Sequence, residues 1–173
     1  MSKEKLLNKL HHLQNALVMG LAADVCFADP RVNRLIEGVR VQIAKDLVVD
    51  LTDVAAALCD EAARTELRFE FRKQFFRGFA AEPFELVEKY AAMTKQTSRF
   101  TGEPWYPFAK LVRNTLRHGT IEFNTFLRGQ LPIQWRGRTV TASEEGHELD
   151  AVFAYEDAVR LLEDIRDFAT RIN

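Results

Sequence analysis

Apolar residues recur at spacings of three and four from the start of the chain: Leu6, Leu10, Leu13, Leu17, Leu21 and Val25 between Glu4 and Phe27, the mark of a helix with one buried face. The Ala28-Asp29-Pro30 break ends it. Leu35, Ile36, Val39 and Ile43 then share a face and predict a second helix over Val32 to Leu47. Asp50 or Thr52 is placed to cap a third, which carries Val54, Ala55, Leu58 and Cys59. From Leu67 to Phe79 two periods compete: Leu67, Phe69 and Phe71 alternate like a strand, whereas Phe71, Phe75 and Phe79 recur at helical spacing. Length and the charged residues between them favour helix.

Phe84 to Lys95 reads as a further helix, closed by Gln96-Thr97-Ser98 and then Thr101-Gly102-Glu103-Pro104. Pro107 suits a first helical turn, where its missing N–H does no harm, and leads into a helix from Phe108 to His118. Gly119 is a natural left-handed stop. Beyond Leu131-Pro132, the residues Ile133, Trp135, Val140 and Thr141 flank Arg136-Gly137-Arg138 as in a small β-hairpin. A final helix from Ala151 to Ile172 buries Val152, Tyr155, Val159, Leu162, Ile165 and Phe168. The pattern therefore predicts an all-α, up-and-down bundle of four to six helices, with a small β-hairpin inserted before the C-terminal helix. With 173 residues, a single domain spanning 1–173 is expected.

Composition changes this picture little. The chain is 47% hydrophobic and 28% charged, which argues against disorder or a fibrous repeat. Cys26 and Cys59 are the only cysteines, too few for a disulfide scaffold, and are expected as small buried residues. No apolar run approaches the ~20 residues of a bilayer-spanning helix, and Ala16 to Ala23 makes a poor signal peptide. A cytoplasmic protein with no membrane partner is expected.

The net charge of −1 hides an asymmetry. Between Pro104 and Arg138 six cations (Lys110, Arg113, Arg117, Arg128, Arg136, Arg138) stand against Glu122 alone, whereas nine acids face three arginines from Thr139 onward. Such segregation fits an anionic partner or simply a solvated face. Lys110, Arg117, Arg128, Arg136 and Arg138 are candidate contacts for a phosphate backbone, RNA among the possible partners. Trp105, Tyr106 and Trp135 fit either stacking platforms or core.

Chemistry concentrates on one helix. At ~100° per residue, Phe108, Ala109, Leu111, Val112, Thr115 and Leu116 take one arc, and Lys110, Arg113, Asn114, Arg117 and His118 take the other. Asn114 and His118, four apart, stack on one side, so the amide is placed to orient the imidazole. A side chain of the type that titrates near neutral pH, beside a fixed cation, suits phosphodiester chemistry. The guanidinium of Arg113 can grip a phosphate and stabilise charge developing on its oxygens. No metal and no cofactor is required by this chemistry. Elsewhere, Glu144, Glu145, His147 and Glu148 match no standard metal spacing and read as an acidic loop. His11 and His12 point ~100° apart and read as surface residues. Phe69, Phe71, Phe75, Phe76, Phe79 and Phe84 are expected to build the core, any excess suiting a dimer interface.

The stretch YPFAKLVRNTLRHG resembles the signature helix of the HEPN superfamily, in which an Arg, often followed by Asn, precedes a His by four to six residues. Arg113, Asn114, His118 and the following Gly119 occupy those places in order. The specific likeness covers about a dozen residues, set among helices ordered as in HEPN bundles. It implies a metal-independent endoribonuclease, usually a homodimer with both motif helices on a shared cleft. The ribose 2′-hydroxyl attacks the adjacent phosphate, leaving a 2′,3′-cyclic phosphate and a 5′-hydroxyl. Carried over, Arg113 binds or polarises the phosphate, Asn114 sets the geometry and His118 is acid or base. The resemblance further implies a toxin–antitoxin or other defence or stress system, with a protein antitoxin or regulator as partner. Some members carry a modified Tyr two residues past the motif His; Thr120 stands there instead. Other members bind RNA or protein without cutting, and a helical interaction protein with an accidental motif is the third alternative.

Overall fold

The computed structural model describes the backbone of residues 1–173 and every side chain except those of Lys73, Phe76, Arg77, Asp150 and Tyr155. The fold is mostly helical, with two small antiparallel hairpins. Among the described residues no helix is long and apolar enough to cross a membrane. The chain forms two compact units: residues 16–75, and residues 1–15 together with 76–173. Helices α1 (Lys3–Phe27) and α4 (Glu61–Met93) contribute to both.

In the unit of residues 16–75, Asp29 ends α1 and begins the short helix α2 (Pro30–Arg34), accepting from the Arg31 N–H at 2.9 Å. The helix expected over Val32 to Leu47 does not form. Gly38 sits inside that apolar pattern with φ +72°, and a hairpin follows, β1 (Arg40–Ala44) and β2 (Leu47–Asp50), with Val41 opposite Val49 and Gln42 opposite Val48. Runs of valine and isoleucine favour strands because their branched side chains lose freedom on a helix. The 3–4 spacing of Leu35, Ile36, Val39 and Ile43 coincided with a strand alternation at Val39, Val41 and Ile43.

Asp50 accepts from the Thr52 N–H at 2.9 Å where helix α3 (Thr52–Cys59) begins. Asn33 is buried and ties three segments together, donating to the carbonyls of Phe27 (3.1 Å) and Leu58 (3.0 Å). Asp24 on α1 takes Arg68 through both oxygens at 2.9 Å and Arg72 at 3.0 Å. Burial pushes its carboxyl up, but the hydrogen bonds from the two guanidinium groups outweigh that and hold it below the usual range.

Several expected core residues are not core. Val25 is 70% exposed, Cys26 and Cys59 are exposed, and Phe69 is 48% exposed. Phe71, Phe75 and Phe79 are half-buried, Phe84 is buried, and Phe76 lies outside the described side chains. The early phenylalanines pack on one another instead, with Phe71 stacked on Phe75 (5.5 Å) and edge-on to Phe27 (6.3 Å). Cys59 follows Leu58, the last buried position of α3, and so turns outward.

Asp29 and Asp50 give this unit an acid sensitivity. Hydrogen bonds from the Arg31 side chain and backbone lower Asp29 from 3.8 to about 2, and those from Thr52, with Arg40, do the same for Asp50. A carboxylate lowered by folding adds stability above its unfolded value, and loses it as pH falls through the folded one. Amide exchange protection of α2 and the β1–β2 hairpin should therefore decline between pH 3.8 and about 2. D29N/D50N should show a smaller decline over that interval than the wild type.

In the other unit, α4 continues without a break through Pro83, where two helices were expected. Interior proline costs about 3 kcal/mol, but Ala80, Phe84, Val87 and Ala91 recur on a buried stripe that offsets it. The polar stretch after α4 contains a short helix, α5 (Thr97–Thr101), and Asn124 caps another short one, α7 (Thr125–Arg128). Helix α6 (Tyr106–His118) opens with Pro107 in its first turn and stops at Gly119, φ +94°, as expected. Its apolar arc is buried at Phe108, Ala109, Leu111, Val112 and Thr115.

The hairpin expected before the last helix forms as β3 (Ile133–Trp135) and β4 (Arg138–Val140), turning through Arg136 and Gly137, both at positive φ. Trp135 and Trp105 are core residues, and Trp135 stacks on Phe108 with centroids 4.6 Å apart. The last helix, α8 (Tyr155–Arg171), starts four residues later than expected, because Asp157 accepts from the Ala154 N–H (2.8 Å) and fixes the start there. Val152, Leu162, Ile165 and Phe168 are buried and Val159 is half-buried, whereas Tyr155 lies outside the described side chains.

Candidate functional site

The polar face of α6 packs beside α4. Arg113 donates through Nε to Glu85 Oε1 (3.1 Å) and through Nη1 to Asn114 Oδ1 (3.1 Å). Arg117 reaches the same Glu85 oxygen through Nη2. Arg113 is 24% and Glu85 37% exposed at the side chain, so the cluster is partly shielded from solvent. A guanidinium has five N–H donors; Glu85 and Asn114 take two of them, which leaves three for an anion.

His118, in the last turn of α6, is exposed, and among the described residues its ring makes no hydrogen bond or ion pair. The structure shows no orienting contact from Asn114 to His118; the Asn114 amide oxygen accepts from Arg113. Asn114 thus serves the guanidinium, not the imidazole. Lys110 donates to the Tyr106 hydroxyl (3.3 Å) and sits 4.4 Å from the Phe126 ring centroid.

Acids from the C-terminal segment hold each of the remaining candidate cations. Arg128 pairs with Glu145 (2.5 Å). Arg136 grips Asp164 through two nitrogens (2.7 and 3.2 Å), and Asp164 also accepts from Trp135 Nε1 (2.7 Å). That carboxylate's hydrogen bond raises the pKa of Arg136. Arg138 meets Asp157 at 2.8 Å, a carboxylate only 1% exposed. The charge segregation seen along the sequence is thus largely cancelled in space. The surface left with cationic character on α6 is Lys110, Arg113 and Arg117, beside the exposed His118, and Arg113 and Arg117 share one counter-ion.

Glu85 is the member that the sequence did not reveal. Its only signal is indirect: two arginines four apart on one helix repel and call for a carboxylate from a neighbour. An open groove of about 880 Å³ lies by Trp105, Trp135, Arg136, Asp164, Asp167 and Arg171. It sits at the start of α6, about 20 Å along the helix from His118 at 1.5 Å per residue. Among the described residues no group of three acidic, histidine or cysteine side chains could hold a metal ion. Glu144 spends its carboxylate on the Thr141 N–H (2.7 Å) and hydroxyl (2.9 Å). No family model, curated protein or solved structure matches the chain.

Proposed function

We propose that the chain is a metal-independent endoribonuclease of HEPN type, acting through Arg113, Asn114 and His118. The observation that carries this reading is a held guanidinium and an uncommitted imidazole on the polar side of one helix. Arg113, fixed at two corners by Glu85 and Asn114, presents its remaining N–H groups to a phosphate and stabilises the charge that builds on its non-bridging oxygens. The ribose 2′-oxygen attacks phosphorus and the bond to the 5′-oxygen breaks. One proton leaves the 2′-hydroxyl and one reaches the departing 5′-oxygen. His118 carries one of these transfers, and His118 of a second copy carries the other in a homodimer. Lys110 and Arg117 would extend the contact along the RNA. Arg128, Arg136 and Arg138 would contribute only where RNA displaces their acids. A cytoplasmic role in defence or stress, with a protein regulator, follows from the HEPN resemblance.

A second reading, a non-catalytic module that binds RNA through the same face, is favoured by one observation: His118 is oriented by no neighbour among the described residues. End-labelled single-stranded RNA in EDTA separates the two. The proposal expects cutting with cyclic-phosphate ends, and a loss on the order of 10²-fold in R113K, because a lysine cannot keep the planar fork that engages Glu85, Asn114 and phosphate together. Binding without cutting in the wild type would favour the module. Cutting unaffected by R113K would exclude Arg113 from the reaction.

A further inference from the structure

Arg113 and Arg117 stand four apart on α6 and converge on a single oxygen, Oε1 of Glu85 on α4. Two cations so placed repel each other and would splay apart without an intervening anion. Glu85 removes that repulsion and, being half-buried with Arg113, does so where a charge-assisted hydrogen bond is roughly twice as strong as a neutral one. It takes Arg113 by Nε while Asn114 takes it by Nη1, so the guanidinium plane is fixed and its unused N–H groups face a defined direction. On the reading that this face binds RNA, we infer that Glu85 is a positioning residue, which locks the two arginines into one phosphate-binding fork. The carboxylate thereby aids the binding of a polyanion despite its own negative charge.

The sign of one substitution tests this. Long-range electrostatics alone says that deleting an acid from a cationic face tightens binding of a polyanion; positioning says that it weakens it. Glu82, exposed and one turn earlier on α4, supplies the bulk-charge control. The probe is a fluorescent single-stranded 2′-O-methyl oligoribonucleotide, which offers no 2′-hydroxyl for attack, titrated with the full chain at fixed salt. E85A should weaken binding on the order of tenfold, the loss of about one well-held charge-assisted contact. E85Q, which keeps an oxygen to accept from both arginines, should recover part of that loss, and E82A should bind as tightly as the wild type or more so. E85A binding equal to or tighter than the wild type would overturn the inference while leaving the RNA reading intact. A wild type that does not bind at all would overturn both. Should circular dichroism show E85A unfolded, E85Q alone decides: weakening by a few-fold supports the role, and unchanged affinity overturns it.

Discussion

Replacing His118 with alanine should lower RNA cleavage by roughly 10²-fold or more, with little change in stability. The second half of that expectation rests on the surroundings of the residue. His118 is exposed, lies in the last turn of α6, and among the described residues bonds to nothing, so its removal opens no cavity and orphans no partner. The first half rests on what the reaction needs and what the face offers. Arg113 can hold and polarise a phosphate, but guanidinium groups stay charged in proteins, and Lys110, resting on the Tyr106 hydroxyl and the Phe126 ring, offers the RNA backbone a point charge. Proton transfer then falls to the imidazole. Comparing the first-order cutting rates of wild type and H118A in EDTA, beside their thermal melting curves, checks both halves. Equal rates would point to a contaminating nuclease and withdraw the enzyme from the proposal.

The largest effect on stability should come from Phe108→Ala, which ought to cost about 3–5 kcal/mol and lower the melting temperature by about 10 °C. Phe108 is fully buried on the inner face of α6, stacked on Trp135 at 4.6 Å and 6.2 Å from the Phe153 ring. Truncation removes the ring and leaves a void, because Trp135 is pinned on its far side by its hydrogen bond to Asp164 (2.7 Å) and cannot swing in to fill it. Both tryptophans, Trp105 and Trp135, lie in the unit that contains α6, so urea titration followed by their fluorescence reports that unit's unfolding. A change below about 1 kcal/mol would mean that the hairpin collapses onto α6 and heals the gap.

The pattern of apolar residues was a good guide where one face is deeply buried and a poor one where it is not. Helix α6 is legible because Phe108, Leu111, Val112 and Thr115 are all enclosed, and because Pro107 and Gly119 mark its two ends. The β3–β4 hairpin is legible because Ile133, Trp135 and Val140 point inward around an Arg-Gly turn. The β1–β2 hairpin was misread because nearly all of its residues are exposed, so burial imposes neither period and coincidental spacing decides the reading. At the candidate site, the residues on α6 could be read from one stretch of sequence. Glu85 could not, because its role arises only when α4 is laid alongside, 28 positions from Arg113. The pairing of Arg128, Arg136 and Arg138 with acids near the C-terminus was hidden for the same reason: charge counted along a chain says nothing about which charges meet.

Those three pairs also bear on how any polyanion would find the molecule. With a net charge of −1 and most of its arginines answered by a neighbour's carboxylate, the chain casts almost no long-range field. On the proposed reading, a strand approaching through salt solution would be drawn in only weakly, and capture around α6 would proceed near the unsteered pace of about 10⁵–10⁶ M⁻¹s⁻¹. Slow capture of this kind would keep such a surface clear of the duplexes that a uniformly basic one gathers.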